Sequence, residues 1–242
     1  MSPPGTTHIS ALDAHLFAHT RHTSPYSSLN RGDLIEVQGS ASSGKTHLIY
    51  HFIIICLLPP MVAGREVGGW GKAAVLLDSD DTFNVQRLHR LLLARLHRLV
   101  CNASRREGAA SGPAVPEILL KETVAQCLKR LHVFRPTSSL QLAATLINLP
   151  HYHAKHLPDC EIALLAVDSI SAFYWPDRFT AEQMREDIAP ESKPTPPSGF
   201  VHPLHHVLIA LEKFRTSHGA VVLLTNWASH RSPMTRSSSV SI

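Results

Sequence analysis

The amino-acid sequence predicts an α/β domain with a mostly parallel central sheet and helices on both faces. Three observations carry that prediction. Five short apolar runs, at 34–38, 73–77, 131–134, 162–167 and 220–225, have strand length and alternate with longer helical patterns. Strands that recur with helices between them pair in parallel, because each crossover returns the chain to the same end of the sheet. The first run leads directly into Gly39-Ser40-Ala41-Ser42-Ser43-Gly44-Lys45-Thr46, which fits G-x-x-x-x-G-K-[ST] without a mismatch.

Taken in order, residues 1–27 are rich in His, Thr, Ser and Pro and read as a loosely ordered polar lead-in with one short helix near 11–17. The core is expected over 28–228. Its first strand, 34–38, is followed by the glycine loop and a helix over 45–58, which Pro59 and Pro60 stop. Residues 64–71 are turn-rich, and the buried run 73–77 ends at Asp78. A helix over 83–100 sets Leu88, Leu92, Leu96 and Leu99 on one face. Residues 104–116, rich in Gly, Ala, Ser and Pro, read as a flexible insertion. A helix over 117–129 precedes the strand at 131–134. Another begins near Ser138, with Ser139 and Gln141 available for capping, and runs to 149. The run 162–167 ends at Asp168. The proline-rich stretch 174–200 reads as a long irregular loop, and a helix over 201–217 with the strand 220–225 closes the core. The Ser-rich tail, 229–242, reads as disordered.

Composition narrows the class. A chain of 242 residues, 44% hydrophobic and 17% charged, buries a proper core as one domain with decorations. The net charge of +4 permits contact with nucleic acid without requiring it. Four scattered cysteines form no CxxC pair, which argues for a reducing, intracellular setting and against a structural zinc site. The N-terminus lacks a basic region followed by an apolar stretch, so no secretory signal is expected. The apolar run 48–58 is too short to cross a bilayer, and no membrane partner is expected.

The glycine loop sits where a phosphate-binding loop must sit, between a strand and a helix. Its glycines let backbone N–H groups turn toward a phosphate, and the helix beginning at Lys45 aims its positive end there. Lys45 is then expected at the β/γ-phosphates of ATP, with the Thr46 hydroxyl on Mg²⁺. Asp168, closing a buried strand, is the expected second ligand of the metal; the other reading is a cap for the following turn. A base that orients an attacking water is sought in Asp78-Ser79-Asp80-Asp81. That cluster reads equally as a solvated turn with Asp80 or Asp81 capping the next helix.

These segments together resemble the RecA-type recombinases. Leu77-Asp-Ser-Asp-Asp-Thr-Phe-Asn-Val-Gln-Arg-Leu88 is similar to that family's D-T-E-G-T-F-x-x-x-R-L. Leu165-Ala-Val-Asp-Ser-Ile-Ser-Ala-Phe-Tyr-Trp-Pro-Asp-Arg178 resembles its metal-binding strand and the segment after that strand, in the form carried by a small recombinase paralogue. The likeness spans residues 30–226, the insertion excluded. It implies a single RecA-type P-loop NTPase core in the nucleus, binding ATP and Mg²⁺. It also implies an adaptor that helps recombinase filaments form during homologous-recombination repair of double-strand breaks, in a complex with other RecA-type paralogues and in contact with single-stranded DNA. Two departures bear on activity. The family's catalytic Glu is matched by Asp80, and its T-N-Q by Thr225-Asn226-Trp227, so ATP binding with slow hydrolysis is expected. An active DNA-stimulated ATPase using Asp80 is the alternative, and a small-molecule kinase on the same loop is the more distant one.

Three further features are weighed. The arginine-rich, acid-free stretch 86–106 reads as a solvated helix face ahead of a nucleic-acid contact. Phe173, Tyr174, Trp175 and Phe179 suit either base stacking or, slightly favoured, anchoring of a partner subunit. His151, His153 and His156 have metal-compatible spacing, yet no cysteine or carboxylate converges on them in sequence, and a solvated helix end is the favoured reading.

Overall fold

A computed structural model describes residues 4–20, 24–106, 115–188, 202–227 and 239–241. The strands are β1 (Leu34–Gly39), β2 (Met61–Val62), β3 (Arg65–Glu66), β4 (Ala73–Asp78), β5 (Leu131–Phe134), β6 (Ile162–Asp168), β7 (Val221–Trp227) and β8 (Ser239–Ser241). The helices are α1 (Ser10–His19), α2 (Lys45–Leu57), α3 (Val85–Arg106), α4 (Glu117–Leu128), α5 (Ser139–His156), α6 (Tyr174–Ile188) and α7 (Pro203–His218). Six strands form one sheet in the order β5-β4-β6-β7-β1-β8, every neighbouring pair parallel. The expected mostly parallel sheet is therefore present, and β2 with β3 forms a separate antiparallel ribbon in the turn-rich connection.

The centre of the sheet is buried on both sides because β4, β6 and most of β7 are aliphatic on both faces, whereas β1 keeps Glu36 and Gln38 on one of its faces. Along β4, Ala74 and Leu76 enter one core with α1, α2, α3 and α4. Their neighbours Ala73, Val75 and Leu77 enter a second core with α5 and α7. The period of two along a strand sends alternate side chains to opposite faces. Helix α2 is nearly apolar all round, and Phe52, Ile53, Cys56 and Leu57 are wholly buried, as a helix without a polar face must be.

Such a helix must also satisfy its last carbonyls. The connection after it does so. Trp70 N–H donates to Ile55 O at 2.9 Å, Lys72 N–H to Cys56 O at 2.9 Å and Gly71 N–H to Leu58 O at 2.7 Å. The Arg130 guanidinium reaches Leu57 O at 2.5 Å. Gly69 is held so close that a Cβ there would lie 2.0 Å from Leu58 O.

Several expectations are corrected. The lead-in is not loose over its described residues: Leu12 and Leu16 are buried, Asp13 accepts from Thr7 N–H at 2.8 Å and from the Ser28 hydroxyl, and His51 Nε2 meets Thr7 O at 2.6 Å. Residues 174–188 are helix α6 instead of an irregular loop. Pro176 falls in the first turn, where a missing N–H costs nothing, and no proline follows before 190. Helix α5 runs through Pro150 to His156, and its cap is Ser138, whose hydroxyl accepts from Gln141 N–H at 3.2 Å. Ser139 is engaged elsewhere, with Asp177 at 2.5 Å. Of the insertion expected over 104–116, residues 107–114 lie outside the described residues, and 104–106 continue α3. The tail likewise lies outside them except for β8, which pairs with β1. Among the described residues no helix is long and apolar enough to cross a membrane.

Candidate nucleotide site

The carboxyl ends of β1, β4, β6 and β7 bring the predicted site residues to one edge of the sheet. After β1 the chain turns through Ser42, at φ 61°, and Gly44, at φ 95°, both in the left-handed region. Ser43 N–H closes the turn onto Ser40 O at 3.3 Å. A Cβ on Gly39 would sit 2.5 Å from Ser43 Oγ, so the Ser43 side chain would have to turn away to admit it. Helix α2 then starts with no side chain capping it, which leaves the N–H groups of its first turn for an anion. Lys45, only 9% exposed, donates to Gly39 O at 2.9 Å and Ser40 O at 2.7 Å. Among the described residues it forms no ion pair. A buried cation resting on carbonyls at an uncapped helix start is a cradle for phosphate.

Thr46 Oγ1 donates to Asp168 Oδ2 at 2.9 Å. The two residues are far apart in sequence and were expected together, and the fold joins them. Asp168 is 3% exposed, and its other oxygen accepts from Thr225 Oγ1 at 2.5 Å. The β6 strand end is pinned further, because Asp168 O accepts Ser79 N–H at 2.8 Å and Asp80 N–H at 3.1 Å. A hydroxyl and a carboxylate are hard oxygen donors, the set Mg²⁺ prefers when phosphates and water complete its shell. Among the described residues no group of three His, Cys, Asp or Glu forms an all-protein metal cage.

The acidic cluster after β4 divides its labour. Asp78, 1% exposed, accepts from Thr82 N–H at 3.1 Å and Phe83 N–H at 3.2 Å, so it, and neither Asp80 nor Asp81, holds the turn. Asn84 caps α3, its Oδ1 accepting Arg87 N–H at 2.9 Å. Asp81, at φ 51°, pairs with Arg135 at 2.9 Å. Asp80 is the cluster's member near the loop. Burial raises its pKa, the Asp168 and Asp78 charges add to that, and Ser169 and Lys45 pull the other way.

Two groups beside the loop escaped the sequence reading. Thr225 orients Asp168, a role that its place in the Thr225-Asn226-Trp227 match did not reveal. Tyr50, one turn beyond Thr46, exchanges hydrogen bonds with Asn84 N–H at 2.8 Å and Asn84 O at 3.1 Å and stacks on Phe83 at 4.8 Å. Arg87 lies over the Tyr50 ring at 5.4 Å and hydrogen-bonds His47, the residue after Thr46. Trp227 stands across from Gly39 in register, 57% exposed, its backbone N–H donating to Ser171 Oγ at 3.1 Å. On α6, Tyr174, Trp175 and Phe179 are exposed, with Arg178 over the Trp175 ring at 5.7 Å, whereas Phe173 packs against the second core.

No family model matches the chain. Individual relatives do. It is 28% identical over 209 residues to the DNA repair protein XRCC2 homolog of Arabidopsis thaliana, covering 81% of this chain and 55% of that one. It is 31% identical over 174 residues to the mouse DNA repair protein XRCC2, covering 72% and 50%. The DNA repair and recombination protein RadA of Halobacterium salinarum is 27% identical over 197 residues, covering 80% and 51%. The chain carries a RecA-type core. It spans about half the length of the curated relatives it matches. The RecA-type core expected from Leu77–Leu88 and Leu165–Arg178 is the core observed, with the phosphate loop and Asp168 on the same sheet edge.

Proposed function

We propose that this chain binds ATP with Mg²⁺ and serves homologous-recombination repair of DNA double-strand breaks in the nucleus, as an adaptor among RecA-type partners. The observation that carries the reading is the Thr46–Asp168 hydrogen bond of 2.9 Å beside a buried, ion-pair-free Lys45 at an uncapped helix start. The residues present fit the nucleotide. Lys45 and the first-turn amides of α2 would hold the β/γ-phosphates, and Thr46 and Asp168 would hold the metal, which neutralises phosphate charge. Thr225 keeps Asp168 oriented. The repair role is supported by the names of the relatives.

Hydrolysis is expected to be slow. Asp80 is one methylene shorter than the glutamate of the resembled family, and a misplacement near 1 Å costs on the order of 10²-fold in rate. A second reading, an active DNA-stimulated ATPase, is favoured by the raised pKa of Asp80 beside Asp168 and Lys45, the behaviour of a tuned base. Steady turnover above about 1 s⁻¹ with single-stranded DNA supports that second reading over the adaptor.

The test is capture of the tagged protein from cells with double-strand breaks, wild type beside Lys45→Ala, together with binding of a fluorescent ATP analogue. Recovery of RecA-type proteins and loss of analogue binding in the variant are expected. Capture without any RecA-type partner refutes the adaptor, and unchanged analogue binding refutes the nucleotide site.

A further inference from the structure

Helix α3 carries positive charge that nothing in the described fold neutralises. Between Gln86 and Arg106 there are six arginines and no acid. Leu88, Leu92, Leu96 and Val100 bury one face of the helix in the first core. Arg90 and Arg98 stand exposed on the other side, and Arg95 lies half-buried at its flank. Arg87 is already engaged by His47 and Tyr50.

No ion pair among the described residues reaches Arg90, Arg95 or Arg98. The elements packed on α3 offer few acids. Glu117 of α4 pairs with Lys121 at 2.7 Å, and Glu122 of α4 and Glu66 of β3 form no ion pair among the described residues. Arg95 Nε is buried without a hydrogen-bond partner in that set. Burial, and then the Arg98 charge, lower the Arg95 pKa, the mark of a cation lacking a counter-ion. The bland reading of a solvated face does not account for a buried Arg95 Nε left without a partner.

The face fits a polyanion better than a folded protein. Protein interfaces centre on apolar anchors, and on α3 the exposed large apolar residues are Leu91, at 37%, and Val85, at 45% and before the first of the three arginines. Guanidinium groups match phosphate oxygens with paired donors. At about 1.5 Å per residue, Arg90 and Arg98 are about 12 Å apart along the axis, so a strand laid along α3 meets them in succession.

We propose that the outer face of α3, through Arg90, Arg95 and Arg98, binds the phosphate backbone of single-stranded DNA. This rests on the DNA-repair reading above and adds a place for the strand, separate from the α6 aromatics, whose neighbour Phe173 packs against the opposite face of the sheet. Binding is independent of base sequence, since backbone contacts carry none.

The experiment is fluorescence anisotropy of a labelled single-stranded oligonucleotide against salt, with wild type and the combined Arg90→Gln, Arg95→Gln, Arg98→Gln variant. Three lost phosphate contacts lower the log–log salt slope by about 2, at about 0.7 each, and affinity falls at least about tenfold at low salt. The combined Arg→Lys variant keeps the charge and is expected to keep the slope. It holds the test open if the Gln variant melts early. An unchanged slope in the Gln variant, a lost slope in the Lys variant, or failure of the wild type to bind DNA overturns the inference. A Gln variant that instead loses its captured RecA-type partner also overturns it, and assigns the face to protein. ATP-analogue binding, measured in parallel, depends on Lys45 and not on α3, so failure of the nucleotide reading is seen separately.

Discussion

Replacing Thr225 with valine tests whether the site is held together by its strand-end hydroxyl. Thr225 is wholly buried and donates to Asp168 Oδ1 at 2.5 Å, while Asp168 is itself 3% exposed. Valine keeps the shape and removes the O–H, leaving a buried carboxylate oxygen one donor short. A hydrogen bond to a charged group contributes about 1.5–3 kcal/mol, so the loss is taken as about 2 kcal/mol. In a chain of 242 residues that lowers Tm by about 4–8 °C, at about 2–4 °C per kcal/mol. The assay is thermal unfolding by circular dichroism near neutral pH, with and without ATP and Mg²⁺. Because Asp168 is the proposed metal ligand, the Mg²⁺-dependent part of the nucleotide-induced rise should shrink more than the Mg²⁺-independent part. Thr225→Ser, which keeps the hydroxyl, should retain the Mg²⁺-dependent part. A Tm shift below about 1 °C for Thr225→Val, less than one lost hydrogen bond requires, refutes the account of Asp168 as a carboxylate held by this donor.

Three other outcomes are expected. Gly69→Ala forces backbone to move, since a Cβ there meets Leu58 O at 2.0 Å, and should destabilise by at least about 2 kcal/mol in urea titration; a neutral result contradicts the close approach. Asp80→Glu restores the missing methylene and should raise phosphate release by on the order of 10²-fold with DNA and a captured partner present, and equal rates would show that carboxylate reach is not what limits turnover. Burial lowers the pKa of His51, His132 and His218 below 6.5. The unfolded chain then binds protons that the folded one refuses, so their contribution is whole above pH 6.5 and is lost as pH falls below it. Urea midpoints between pH 7.5 and 5.5 check this, and a midpoint that rises on acidification refutes it. Asp80 acts in the reverse sense: with its folded pKa raised above 3.8, its contribution is whole below pH 3.8 and is lost as pH climbs from there through the raised folded value.

Most of the fold was legible because its strands are unbroken aliphatic runs between helical segments, and the phosphate loop has a fixed spacing. Thr46 and Asp168 could be expected side by side because both ends of that argument, a loop lysine with its hydroxyl neighbour and an acid at a strand end, are written locally. Thr225, Asn84 and Tyr50 were not legible, since their roles arise from contacts between strands and helices distant in sequence. Helix α6 was missed because prolines were counted over the whole stretch, whereas only Pro176 lies inside the helix, at a position that tolerates it. In the lead-in, Asp13 and Thr7 read as ordinary polar residues until the fold turns their polar atoms toward each other.

The connection after α2 has a consequence for local motion. Residues 70–72 lack any strand or helix, yet their amides close the end of the most apolar helix among the described residues. They can exchange with solvent only when that helix end opens, and opening it exposes Phe52, Ile53 and Leu57. In hydrogen exchange these loop amides should therefore be as protected as those of β4 and β6. These loop amides are thus tied to the helix that the phosphate loop starts, and nucleotide bound at its first turn should slow exchange at its far end.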